Sequence, residues 1–476
     1  MKQLISKHLH KWQNKKGGDS DSDSDSGGGG IYSLAQGVVY WEPPSTTYQF
    51  LSNVLTSIVT TSNESTTTTT NDITPELSQD IHQYCPDEGL STLIHAIKDK
   101  LYNENHIPNN DQTKVIITSG ANQAYMNCVL TLLSEKSYNK NNNHVEEEDD
   151  DEEEGIQDVC VVFKPYYFNH VMAVQMTRGD DALLIGPIDE QGIPDIQWLR
   201  QTLYEQQQEH QKLFNHQTQR CKTRIKMVTI TNPGNPTGVS LSTSQLQQFV
   251  DLCKEYNVWL VMDNTYEHFD HDQVNCFPIP SSTNHNTEKE EEEVIEQYGY
   301  HCFDDEHVIN IFSFSKGYAM AGFRVGYVVI NAKGNKGNDA YEQMMKVQDT
   351  IPICTSRLSQ IAALGALAAG RQWVIEKVRT LDASRDAILK ALAPLETIIG
   401  GNGAMYVMAK LPLSHSNDRI IGEMFVEKYG IAIIPGSFCG YPGWIRVCYS
   451  NLKPSDCIMA AERLSNAVKD LCNTKE

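Results

Sequence analysis

Nothing in the 476 residues approaches the roughly 20 consecutive apolar positions that a bilayer-spanning helix needs, so no transmembrane helix is expected. Positive charge is also scarce. Lys and Arg total 39 against 61 Asp and Glu, a net charge of −22. That balance argues against nucleic-acid binding, which needs a basic face. The twelve cysteines include no C-x-x-C pair. Their scatter excludes a zinc site or disulfide framework and fits a reduced compartment, so a cytoplasmic location and no metal are expected. The first sixteen residues are basic and free of acids. They only partly match an organelle-targeting helix, because Lys stands where Arg is usual and Ser is sparse.

The apolar content of 40% is low for a globular enzyme, and polar inserts carry the deficit. Residues 1–30 end in alternating Asp and Ser followed by glycine, and are expected to be a disordered extension. Four further inserts, at 60–71, 137–155, 205–222 and 281–297, are rich in Asn, Thr, Gln and Glu. Residues 146–154 are all acidic and 290–293 form a second acidic cluster. Such blocks repel themselves and stay solvated. The insert at 205–222 has an alternative reading as the continuation of a helix that begins near residue 196.

Between the inserts, short β-branched apolar runs at 115–118, 159–163, 227–230, 259–262, 308–312 and 325–330 read as strands. Residues 122–133, 242–256 and 356–369 read as helices. Continuous apolar strands alternating with helices imply an α/β fold: a mostly parallel sheet with helices on both faces. From residue 372 a long helix reaching about 394 is expected, then a strand-and-helix pattern through 403–411, 431–434 and 444–447. That pattern describes a smaller α/β C-terminal domain. The expected organisation is a segment at 31–70 packed with the small domain, a large domain at 72–350, and the small domain at 351–476.

Three motifs each follow an expected strand, where such sheets bind ligands. They are Asn232-Pro233-Gly234-Asn235-Pro236-Thr237-Gly238, Asp263-Asn264-Thr265-Tyr266, and Ser313-Phe314-Ser315-Lys316 with Arg324 beyond it. In this order they resemble the site of the fold-type I aminotransferases, which use pyridoxal 5'-phosphate. The resemblance covers nearly the whole chain. It implies that Lys316 forms the Schiff base with the cofactor and then shuttles the proton. Asp263 would keep the pyridine nitrogen protonated, and Tyr266 and Asn235 would hydrogen-bond the phenolic oxygen. Ser119, Gly120, Ala121 and Asn122 at a helix start, with Ser313 and Arg324, would hold the phosphate. Tyr167 would stack on the ring, although Tyr166 and Phe168 beside it are alternatives. Tyr84 would reach the site across a dimer interface, making a homodimer with shared sites. Arg446 would grip the substrate carboxylate, Gly37 would approach it with its backbone, and Tyr40 and Trp41 would line the side-chain pocket.

The wording of 37–44, 165–169, 263–267 and 347–354 is similar to plant-type aromatic aminotransferases, with kynurenine aminotransferases as more distant relatives. The resemblance implies transfer of an amino group between methionine, tryptophan, phenylalanine or tyrosine and a 2-oxo acid such as indole-3-pyruvate. Dicarboxylate-specific relatives use a second arginine from the neighbouring subunit; the corresponding stretch, 349–353, has none. A distal carboxylate would then be buried without a partner, so aspartate is expected to be a poor substrate. Two alternatives share the cofactor residues: a carbon–sulfur β-lyase and a non-catalytic regulator with the same fold.

Overall fold

A computed structural model of the chain describes residues 30–61, 81–133, 157–214, 223–276, 300 and 302–473. The N-terminal extension up to residue 29, the inserts at 137–155 and 281–297, and nearly all of 60–71 lie outside the described residues. Of the insert at 205–222, residues 205–214 are helical, completing a helix that spans Ile196–Phe214.

Strand β1 is Tyr32–Ser33. The large sheet follows: β2 Thr113–Thr118, β3 Gln157–Phe163, β4 Leu183–Gly186, β5 Thr223–Thr231, β6 Trp259–Asp263, β7 Val308–Ser313 and β8 Gly326–Asn331. Its order is β2-β8-β7-β6-β5-β3-β4. Neighbours β4 through β7 pair in parallel, whereas β8 runs antiparallel to both β2 and β7. An unbroken apolar run signals burial but not direction, so the sequence alone does not reveal the reversed strand. It also does not reveal β4, a four-residue edge strand with three half-buried positions.

Alternation along these strands sends side chains to opposite faces, and the most extensive cluster packs Ile117, Phe312 and Val329 with the C-terminal part. Val162, Met227, Val261, Ile309 and Val328 face one apolar cluster with Tyr125, Val129, Val174 and Met344. These belong to helices Ala121–Leu132, Phe168–Arg178 and Asn335–Thr350. Val161, Phe163, Val228, Ile230 and Met262 face another with Leu199, Leu203, Phe249 and Cys253, from Ile196–Phe214 and Thr243–Glu255. Burying each such side chain stabilises by about 1.5–3 kcal/mol, so helices are required on both faces. The last of these helices starts at a capping box. Ser242 accepts from the Gln245 amide, and the Gln245 side chain accepts from the Ser242 amide; an N-cap of this kind contributes about 1 kcal/mol.

The C-terminal part builds a second sheet from β9 Ile398–Gly400, β10 Tyr406–Lys410, β12 Ile434–Pro435 and β13 Trp444–Cys448, in the antiparallel order β12-β13-β10-β9. Between them β11, Ile431–Ala432, pairs in parallel with β1. Helix Ser45–Thr61 lies against Arg357–Leu367 so closely that a β-carbon on Gly365 would meet the Thr46 carbonyl at 2.7 Å. The long helix expected from 372 to 394 is two, Gly370–Arg379 and Asp382–Leu392. The break puts Leu381 fully in the core. Helix Asn335–Thr350, absent from the sequence reading, is amphipathic, with Gly337, Ala340, Met344 and Gln348 buried at helical spacing.

Candidate active site

The motif residues follow the carboxyl ends of their strands, β2 before 119–122, β3 before 166–168, β5 before Asn235, and β6 and β7 ending at Asp263 and Ser313. Because β8 is antiparallel, Arg324 reaches the same edge just before that strand begins. Together they border a cavity of about 480 Å³. Gly37, Ala121, Asn122, Tyr167, Asn235, Asp263, Tyr266, Ser313, Lys316, Arg324 and Arg446 all line it.

Lys316 donates from Nζ to the carbonyl of Gly37. Its pKa falls to about 8, chiefly through burial; the charges of Arg446 and Arg324 add to the fall and Cys448 opposes it. Asp263 is only 4% exposed. Its Oδ2 lies 3.1 Å from Nε2 of His170, and its Oδ1 accepts from the Thr265 hydroxyl at 2.6 Å and the Thr265 amide at 3.1 Å. Burial pushes this carboxyl up, but the His170 and Thr265 contacts outweigh it and hold the group below its ordinary value.

Arg446 sits on β13 opposite Met408 and Ile434. It donates from Nη1 to Asn235 Oδ1 at 3.0 Å and from Nη2 to the Ala35 carbonyl at 2.9 Å. Its buried Nε has no hydrogen-bond partner among the described residues. Asn235 in turn donates to the Tyr266 hydroxyl at 3.4 Å. One amide therefore joins the arginine to the tyrosine. Burial raises the Tyr266 phenol well above its ordinary range, which keeps it protonated and able to donate.

At the other end, Gly120 precedes helix Ala121–Leu132 with φ +87°. A β-carbon there would fall 2.3 Å from Nη2 of Arg324, so glycine is what lets the guanidinium approach. Arg324 itself holds φ +56°, a left-handed conformation unusual for a non-glycine residue and frequent at functional sites. Its Nη2 donates to Ser119 O at 3.1 Å and its Nη1 to Ala321 O at 2.9 Å. Ser119 and Gly120 shape this end through the backbone without lining the cavity.

Of the three neighbouring aromatics, Tyr167 and Phe168 border the cavity. Tyr166 instead packs on Gly440, where a β-carbon would meet its ring at 2.5 Å. Tyr40 and Trp41, expected to form the side-chain pocket, lie outside this chain's cavity. The Tyr40 hydroxyl donates to Thr380 Oγ1 at 2.7 Å. Trp41 is buried, donates to the Gly317 carbonyl at 3.3 Å and stacks on Phe269. Packing claims both, because an aromatic pair offers as much area to a core as to a ligand. Val38, Phe168 and Ile434 supply apolar lining instead. Tyr84 also lies outside the cavity and is 75% exposed.

Among the lining or supporting residues that escaped the sequence reading, three make polar contacts with predicted site residues. His170 follows an aromatic turn on an otherwise apolar helix face, which gives no hint of its contact with Asp263. Thr265 had a readable signal, since an Asp carboxylate commonly accepts from the backbone N–H two residues on in an Asx turn, and a hydroxyl at that position can add a second bond. Tyr406 reads from sequence only as part of a strand.

A buried carboxylate, a lysine of lowered pKa and a buried arginine, gathered at the carboxyl edge of a mostly parallel sheet, are the equipment of amino-acid chemistry. The chain belongs to the family "Aminotransferase class I and II", whose pattern matches residues 47–464, and it is an aminotransferase. It is 33% identical over 443 residues, 92% of this chain and 90% of the other, to "Aromatic aminotransferase ISS1" of Arabidopsis thaliana. Among solved structures, the kynurenine aminotransferase of Pyrococcus horikoshii has a TM-score of 0.66 at 20% identity, covering 94% of this chain and 92% of that one. The Thermus thermophilus aspartate aminotransferase with maleate has a TM-score of 0.67 at 20% identity, covering 98% and 95%. These structures share the fold.

The family implies pyridoxal 5'-phosphate, and the residues present fit it. Asp263 offers an anion to a ring nitrogen. Arg324, the first residues of helix Ala121–Leu132, Ser313 and Ser315 offer a cation and donors to a phosphate, and Lys316 offers an amine between them.

Proposed function

We propose that the chain transfers the amino group of neutral and aromatic L-amino acids, such as methionine, tryptophan, phenylalanine and tyrosine, to a 2-oxo acid, with Lys316 as the residue that carries the cofactor. The observation that bears the most weight is the shared cavity of Lys316, Asp263 and Arg446, with Nε of Arg446 buried and unpartnered. A planar guanidinium with a donor to spare suits a carboxylate.

Bound pyridoxal 5'-phosphate supplies a protonated ring that draws electrons from the substrate Cα. Asp263, kept ionised by His170 and Thr265, holds the proton on the ring nitrogen. Lys316 Nζ, neutral in a useful fraction near pH 8, would take the proton from the substrate Cα and hold it for return. Tyr266 and Asn235 hold the phenolic oxygen. Arg446 and the Gly37 backbone orient the carboxylate so that the Cα–H bond faces Nζ.

Substrate choice follows from the wall. Besides Lys316, Arg324 and Arg446, each already assigned, the described residues of this chain that line the cavity include no cation, Val38, Phe168 and Ile434 are apolar, and 349–353, the stretch that would lend an arginine to the neighbouring subunit, has none. A second carboxylate would lose its hydration without a partner, at a cost of several kcal/mol. The relative named for aromatic substrates, at 33% identity, supports the same choice. A homodimer in which Tyr84 completes the partner's site belongs to this reading. A panel of amino donors and 2-oxo acids tests it. Stoichiometric formation of a new amino acid from methionine and aromatic donors is expected. Faster turnover of aspartate would refute the specificity, and release of ammonia and pyruvate would refute amino transfer.

A further inference from the structure

Tyr406, at the start of β10, is 1% exposed, and its side chain forms part of the cavity wall. Its hydroxyl lies 2.8 Å from that of Tyr266. Its ring receives the Arg446 guanidinium 4.4 Å from the centroid. A β-carbon on Gly37 would fall 2.1 Å from the same hydroxyl, so the phenol occupies the space that the glycine leaves. One side chain thus adjoins the partner assigned to the phenolic oxygen, the arginine assigned to the carboxylate, and the backbone whose carbonyl holds Lys316.

A phenol has one proton and two acceptor positions. The Asn235 amide nitrogen can only donate to Tyr266. If Tyr406 donates as well, both acceptor positions on Tyr266 are filled and its own proton is left for the cavity. We propose that Tyr406 is a positioning residue that donates to Tyr266, aiming the Tyr266 proton at the cofactor's phenolic oxygen, while its ring steadies Arg446 for the substrate carboxylate. Hydrogen bonds in series polarise one another, so the donation strengthens the one that Tyr266 makes. Burial raises the pKa of the Tyr406 phenol, which keeps it protonated and able to donate. The inference rests on the cofactor reading above.

The test is a spectroscopic pH titration of the holoenzyme, read as the midpoint of its visible absorbance change. Tyr406→Phe keeps the ring and removes the donor. The midpoint should rise by about half a pH unit, with the KM for the amino acid changed less than about threefold because the ring still faces Arg446. Tyr406→Leu removes both and should raise the midpoint and the KM together. In a Tyr266→Phe background, Tyr406→Phe should move the midpoint no further, since the two act in series. Placing 3-fluorotyrosine at 406, a more acidic phenol of nearly the same shape, should lower the midpoint; this arm stands even if Tyr406→Phe fails to hold cofactor. A midpoint unmoved by either Tyr406→Phe or the fluorinated residue overturns the proposal, as does an equal shift in the Tyr266→Phe background. A wild-type protein with no titrating visible band would instead overturn the cofactor reading, and this inference with it.

Discussion

Lys316 should be far more nucleophilic near neutral pH than an ordinary lysine of the apoprotein, and the size of the effect follows from its surroundings. Burial and two arginines lower its pKa from 10.5 to about 8. At pH 7 about 9% of its side chains are then neutral, against about 0.03% of an ordinary lysine, an advantage of roughly 300-fold in free amine. The assay is competitive labelling of apoprotein with a trace amine reagent, followed by peptide mapping across pH 6–11. Reaction at residue 316 should rise about tenfold per pH unit up to a midpoint near 8 and then level off. The same shift predicts a linkage. The folded state sheds this proton earlier than the unfolded chain, so stability should rise with pH between about 8 and 10.5. A shift of that size corresponds to about 3.4 kcal/mol. The side chain is only half-buried beside a cavity of about 480 Å³, so about 1–3 kcal/mol is expected after allowance for solvent screening. Lys316→Met should abolish this increment in urea unfolding of the apoprotein. A labelling midpoint near 10.5, or wild-type and Lys316→Met stabilities that run parallel across this range, would refute the reasoning.

Arg446→Ala should raise the KM for amino donors by about 10- to 150-fold, matching the 1.5–3 kcal/mol of a charged hydrogen bond, with a smaller change in kcat; steady-state kinetics decide this. His170→Leu removes a contact that holds the Asp263 carboxyl low. A carboxyl with a depressed pKa stabilises the fold above its unfolded value and loses that contribution as pH falls through the folded value. The variant should therefore lose activity and stability at a higher pH on the acid side, read from pH–rate and pH–unfolding profiles. Gly37→Ala puts a β-carbon 2.1 Å from the Tyr406 hydroxyl, so a loss of about 1–3 kcal/mol is expected in chemical denaturation.

The parts of the site that lie just beyond strand ends were open to sequence reading because type, order and position agree there. Asn235, Asp263, Lys316 and Arg324 each lie beside an expected strand end, where such sheets bind ligands. What escaped depends on contacts between distant segments. His170 meets Asp263, at the end of β6, from helix Phe168–Arg178, and Tyr406 meets Tyr266 across 140 residues of chain; no local pattern encodes either meeting. Tyr40 and Trp41 could be read either way from the sequence, since an aromatic pair looks the same whether it faces a ligand or a core. The mostly parallel sheet was legible, but which strand is reversed was not, because burial on two faces leaves the same apolar run in either orientation.

The cavity is closed by segments far apart along the described chain. Ala35 holds Arg446 across 411 positions, Gly37 holds Lys316 across 279, and β1 joins strand β11. Residues 35–37 therefore leave the ribosome long before their partner at 446, and the large sheet can form ahead of the wall that Arg446 completes. A chain cut short before residue 446 would keep Lys316 and Asp263 yet lack the guanidinium assigned to the substrate carboxylate.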